Sequence, residues 1–272
     1  MAIVSDKPQT TRKRILGIAR RPGVEMALVD TPGIHRPEYR MNTAMVRDAT
    51  DALRAADVVL VVVDASERRG GGDTYLEQLV SEAGSPAVLA LNKIDRIAKP
   101  KLLPLMAEHG ARGIFRDIVP ISALQGDGVE ELARVLEAQL PEGAPGYPED
   151  FLTATPETEW VGEVIREKLL ERTREELPFA SAILIESFQK AEGKDVTVVT
   201  ASVVVEREGQ KGIVVGRGGT MIRDIGTAAR QELEAQTGRR FYLELTVRVH
   251  ADWRNDDRFL SALIADPFTG KS

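Results

Sequence analysis

Four short clusters combine residue types that can handle phosphate, a divalent cation or a nucleobase. The first is Asp30, Thr31, Pro32 and Gly33. A carboxylate ending a strand can hold Mg²⁺ through water, and a following glycine can offer its N–H to a terminal phosphate that is lost on hydrolysis. The second is Asn92, Lys93, Ile94 and Asp95. Its aspartate can accept from the N1–H and the exocyclic amine of guanine, which adenine does not present in that arrangement. A site built on such bonds rejects the wrong base by roughly 10⁴ or more. The third is Ser122 and Ala123, with Gly126 nearby. Each cluster alone is a pattern that an ordinary cap or turn also produces. All three, in this order and at strand ends, argue for a nucleotide site.

The fourth cluster is Gly216, Arg217, Gly218 and Gly219, a G-x-x-G loop. Its glycines permit close approach of a sugar-phosphate backbone, and the N-terminus of a following helix favours phosphate. Met221 stands where a dinucleotide-binding G-x-G-x-x-G needs glycine, so that reading fails. Residues 211–250 hold seven basic side chains (Lys211, Arg217, Arg223, Arg230, Arg239, Arg240, Arg248) against four acidic ones, in a chain whose net charge is -6. The basic surplus is therefore local to the loop and its surroundings, as a nucleic-acid contact requires.

The elements that must position these clusters follow from hydrophobic patterning. Strand-like runs at 25–29, 58–63, 87–91 and 118–121 alternate with helical patterns at 42–56, 74–83, 101–110 and 129–140, which predicts a mostly parallel sheet wrapped by helices. The runs at 58–63 and 87–91 are apolar without alternation, as expected of central strands covered on both faces. Three prolines and two glycines within 141–148 read as a linker. Beyond it, Thr155 and Pro156 are placed to cap and open a helix with Trp160, Val161, Val164, Ile165 and Leu169 on one face. Strands are expected at 182–188 and 196–205, a helix carrying Ile222, Ile225, Ala229 and Leu233, an alternating strand from Phe241 to Val249, and a closing helix over 256–264. Trp253, beside Arg254, fits an RNA contact and core packing equally.

The 272 residues suit two domains, and 43% hydrophobic with 29% charged residues is a globular composition. The lack of cysteine excludes disulfides and thiolate chemistry and fits a reducing compartment. No apolar run approaches the roughly 20 residues that span a bilayer. His35, His109 and His250 lack ligand spacing, which argues against a histidine metal site.

Thr10, Thr11 and Arg12, followed by Asp30 to Gly33, Asn92 to Asp95, Ser122 and Ala123, and the G-x-x-G segment make the whole chain resemble the Era GTPases. The resemblance implies an α/β fold: a P-loop-GTPase-like G domain over 1–144, then an α+β type II KH domain over 145–272. It implies GTP or GDP and Mg²⁺ as cofactors. Partners would be small-subunit ribosomal RNA and the small ribosomal subunit, met by a cytoplasmic monomer that also associates peripherally with the inner face of the cell membrane. By correspondence Thr10 or Thr11, with Thr11 preferred, ligates Mg²⁺, Asp30 holds it through water, and Gly33 senses the γ-phosphate within the segment Asp30, Thr31, Pro32, Gly33, Ile34. Asn92, Lys93 and Asp95 take the base with Ser122 and Ala123, and Lys211, Gly216, Arg217, Gly218, Gly219 and Arg223 take RNA.

Two departures carry expectations of their own. Ile34 follows D-T-P-G where Ras-like enzymes place a water-orienting glutamine, a feature shared with the family, so intrinsic hydrolysis should be slow and no catalytic residue is assigned. In this sequence no strand, glycine-rich phosphate loop or first helix precedes Thr10, so the parallel sheet is expected to lack its first strand and phosphate loop and to carry an apolar gap there. Residues 265–272, A-D-P-F-T-G-K-S, match the loop pattern without a following helix and read as a decoy. Losing three or four hydrogen bonds to charged phosphates, plus a lysine, costs roughly 5 to 10 kcal/mol. That is at least about 10⁴ in affinity, so GTP binding and hydrolysis should both be weak. The alternative function is an RNA-binding KH protein with a nucleotide-free G-domain remnant.

Overall fold

The computed structural model describes residues 11–34, 39–67, 70–193 and 195–264. Thr10, His35 and the pattern at 265–272 lie outside them. The chain opens with an antiparallel hairpin, β1 (Ile15–Arg21) and β2 (Val24–Asp30). Pro22 and Gly23 close it, with Gly23 at φ +76°, the sign a Pro-Gly turn requires at its second position. The strand expected at 25–29 is thus β2, but its partner β1 was not anticipated, and the pair is antiparallel rather than part of the parallel sheet.

Helix α1 (Arg40–Ala55) buries Met41, Met45, Ala49 and Ala52 at helical spacing. Then β3 (Val59–Asp64), α2 (Gly71–Ala83), β4 (Ala87–Asn92), α3 (Leu102–Gly110), β5 (Asp117–Pro120) and α4 (Val129–Glu137) alternate. The strands form a parallel sheet in the order β3-β4-β5. Central β4 is buried on both faces from Val88 to Leu91. The expectation that 58–63 is equally central needs correction, because among the described residues β3 is an edge strand with Leu60 37% and Val62 55% exposed. Among the described residues β2 pairs only with β1 and β3 only with β4, and Leu28 and Val29 are also exposed. Among the described residues these apolar positions of β2 and β3 are left uncovered by any further strand.

Residues 141–148 form no helix or strand. From Gly146 the chain is tied to the hairpin: Glu25 Oε1 accepts from the Gly146 N–H at 2.7 Å, and the Leu152 carbonyl accepts from the Ile18 N–H at 3.0 Å. Helix α5 (Glu157–Arg172) starts one residue later than expected, with Pro156 at its N-cap. Then follow β6 (Ser181–Lys190), β7 (Val196–Val205), α6 (Glu208–Val215), α7 (Thr220–Thr237), β8 (Arg240–Val249) and α8 (Asp257–Ile264). β6 and β7 are antiparallel while β7 and β8 are parallel, the expected two strands before the glycine loop and one after its helix.

Helix α6 was not anticipated, since two glycines and the β-branched run at 213–215 disfavour helix. It is capped instead by the Gln210 side chain, whose Oε1 accepts from the N–H groups of Glu206 at 2.9 Å and Arg207 at 3.1 Å. One face of the β6-β7-β8 sheet packs under α5 and α7 through Val161, Ile165, Val199, Val203, Ile225 and Leu233. On the other face Ala182 and Val204 meet Trp253 and Leu260 together with Met41 and Met45 of α1, so the two halves share a core.

Candidate nucleotide and RNA sites

At the C-terminal end of β4 the residues expected to take the base come together. Asn92 Oδ1 accepts from the Lys93 N–H at 2.8 Å and from the Ala123 N–H at 3.0 Å, fastening the two loops to each other. The buried Ser122 hydroxyl donates to Asp95 Oδ1 at 2.6 Å, and the carboxylate itself is exposed. Asp95 is thus oriented by one bond with acceptor capacity to spare, which is what a base presenting two donors demands.

Lys93 adopts φ +64°, an uncommon conformation for a residue with a side chain and one found at functional sites. Its Nζ pairs with Asp64 Oδ2 at 2.7 Å, while Ser66 donates its hydroxyl and its N–H to Asp64 Oδ1. Partial desolvation pushes the Asp64 carboxyl up, but Lys93 and Ser66 outweigh it and hold it below the usual carboxylate range. Asp64 was not singled out from sequence, although it ends a parallel strand just as Asn92 does.

At the end of β2, the Thr11 hydroxyl donates to Asp30 Oδ2 at 3.0 Å. Withdrawal from water raises the Asp30 carboxyl above its ordinary value, against the Thr11 bond and a bond from the Thr31 backbone. Two hard oxygen donors within hydrogen-bond reach suit Mg²⁺, which takes one or two protein oxygens and keeps the rest of its shell for water and phosphate. Pro32 is buried, Thr31 and Ile34 are half-buried and Gly33 is exposed. Among the described residues no glycine-rich loop joins a strand to a helix beside this pair.

In the second half, Gly216 has φ +72°, and a Cβ there would fall 2.7 Å from Met221 Cβ and 2.8 Å from its backbone nitrogen. Only glycine fits. Gly218 (φ +59°) and Gly219 (φ +77°) face open space, leaving the backbone approachable ahead of α7. Arg217 and Arg223 are exposed and Lys211 half-buried, and among the described residues no carboxylate pairs with any of the three. The expected cluster of Lys211, Gly216, Arg217, Gly218, Gly219 and Arg223 therefore lies within one short stretch from α6 into the first turn of α7.

Sequence reasoning missed the junction between the two sites. The fully buried Trp253 donates its indole N–H to the Ala180 carbonyl at 3.1 Å, which settles its role as core rather than an RNA contact. Arg12 is buried beside it and donates to the carbonyls of Ser181 at 2.6 Å, Pro178 at 3.1 Å and Phe179 at 3.3 Å. Burial lowers the Arg12 pKa to about 9, with Arg166 adding repulsion and Glu163 opposing it. The guanidinium still carries its charge at neutral pH.

Comparison with known proteins matches both halves of the chain. Residues 1–93 match a family described as 50S ribosome-binding GTPase and residues 182–254 match the KH domain family. The GTPase Era of Geobacter metallireducens is 42% identical over 97% of this chain and 88% of its own length, and that of Geotalea uraniireducens 43% over 96% and 87%. An Era solved with MgGDPNP and nucleotides 1506–1542 of 16S ribosomal RNA superposes with a TM-score of 0.92 at 36% identity, covering 96% of this chain and 89% of that one. A variant Aquifex aeolicus Era bound to GDP·AlF4⁻ gives 0.91, at the same identity and coverage. No helix among the described residues is long and apolar enough to cross a membrane.

Proposed function

The chain belongs to the Era family of GTPases, and from that membership we propose that it is a guanine-nucleotide-binding, RNA-binding factor of small ribosomal subunit assembly. The observation that carries the reading is the assembled base site: Asp95 held by Ser122, and Asn92 joining both loops. Asp95 accepts from the guanine edge, and Asn92 holds the loop that Ser122 and Ala123 contribute. Thr11 and Asp30 hold Mg²⁺, and Gly33 with its neighbours Thr31, Pro32 and Ile34 reports the γ-phosphate. The metal would supply charge neutralisation at the phosphates.

The G-x-x-G loop takes single-stranded RNA, as the 16S-bound relative suggests. Gly216, Gly218 and Gly219 let the sugar-phosphate backbone approach while Lys211, Arg217 and Arg223 neutralise it. A division near residues 144 and 145 separates the two functions. The reading of a nucleotide-free remnant gains no support, because a remnant has no need of an oriented, exposed Asp95. Fluorescence anisotropy with labelled RNA of nucleotides 1506–1542 tests the proposal. Saturable binding that weakens with salt is expected, and no preference for this RNA over an unrelated single strand would contradict the assembly role.

A further inference from the structure

A line of side-chain contacts runs from the start of α1 to the helix ahead of the G-x-x-G loop and is used by neither site. Tyr39, the N-cap of α1, lies against the Arg254 guanidinium, whose Cζ is 3.7 Å from the ring centroid. Arg254 also grips Glu206 with two parallel bonds, Nε to Oε1 at 2.9 Å and Nη2 to Oε2 at 2.6 Å, both side chains being largely buried. Glu206 directly follows β7, and its N–H donates to the buried Gln210 of α6, the helix that runs into Gly216. The neighbouring residues are tied as well: Asn255 Oδ1 accepts from the Arg40 N–H at 3.1 Å, and the Arg40 side chain pairs with Asp257.

We infer that Arg254 is a positioning residue coupling the start of α1 to the G-x-x-G loop, through Tyr39 on one side and Glu206 with Gln210 on the other. This rests on the functional reading above. A guanidinium can do both at once because its face stacks on an aromatic ring while its edge forks a carboxylate, a combination lysine lacks. Burial alone would lower the Arg254 pKa, yet Glu206, followed by Tyr39, outweighs it and the pKa is raised, so the group stays charged while held in place. A displacement of Tyr39 must then either break the stack or carry Arg254, Glu206 and the N-terminus of α6 with it.

Amide hydrogen exchange on the full chain tests this without nucleotide or RNA. In Tyr39→Ala, residues 206–216 should exchange about tenfold faster while amides near Val199 and Val203 keep their protection. Tyr39→Phe, which keeps the ring but not the hydroxyl, should stay much closer to the unsubstituted protein than Tyr39→Ala does. Adding Tyr39→Ala to Arg254→Ala should change nothing further in that segment. Unchanged exchange at 206–216 in Tyr39→Ala would overturn the inference, and so would an equal rise throughout β7, the mark of a global loss of stability. RNA binding by the unsubstituted chain is measured separately, so the functional reading can fail while the coupling stands.

Discussion

The Arg12 guanidinium, one residue beyond Thr11, donates to the Ser181 carbonyl at 2.6 Å from a buried position. The segment that supplies a Mg²⁺ ligand in the proposed site is thereby fastened to the first strand of the RNA-binding half. Replacing Arg12 with Ala strands three carbonyls and leaves a void, for an expected loss of about 3 kcal/mol in urea unfolding. Arg12→Lys should recover little, since a point charge cannot fork three acceptors. A loss below about 1 kcal/mol for Arg12→Ala would show that the contact contributes little.

Titration of Asp64 follows from its partners. Its folded pKa lies below the ordinary value, so its contribution to stability is present above the unfolded pKa, about 4, and is lost as pH falls through the folded value. Lys93→Ala removes the main opposing partner and leaves Ser66 alone against desolvation. The Asp64 pKa, followed by carboxyl NMR, should rise and the acid unfolding midpoint move to higher pH. No movement in either would show that Lys93 does not hold this carboxylate.

How far the site could be read from sequence follows from the kind of contact involved. That Asn92, Asp95 and Ser122 lie together was legible because strand ends of one parallel sheet bring them to the same edge. The hairpin partner β1 was missed although Pro22 and Gly23 mark a turn, since its residues show no clean alternation. Arg12 and Ser181 are 169 residues apart, and nothing in the local pattern of either records the other. The exposed Val62 was missed for a related reason: a run of valines looks alike at a sheet's centre and at its edge.

RNA affinity should depend on the loop's backbone and charge rather than on its packing. Gly218 has a left-handed φ that aspartate tolerates better than most residues, with open space around it, so Arg217→Asp with Gly218→Asp should fold. Two carboxylates facing phosphates should lower affinity at least about 10²-fold. Binding by the unsubstituted chain should weaken with salt at a slope near -0.7 per phosphate neutralised. Gel-shift titration checks both, with circular dichroism confirming the fold, and undiminished affinity would make this loop an ordinary helix start.

Base selectivity bears most directly on the central claim. Titrating the ¹⁵N-labelled chain with millimolar GDP or ADP should move the amides of 92–96 and 121–126 with the guanine nucleotide only. Asp95→Asn should weaken GDP at least about tenfold and favour xanthosine diphosphate instead, because the amide donates where the carboxylate accepted. Equal shifts with GDP and ADP, or an Asp95→Asn protein with unaltered GDP affinity and no gain for the xanthine nucleotide, would contradict the assignment of this site to guanine.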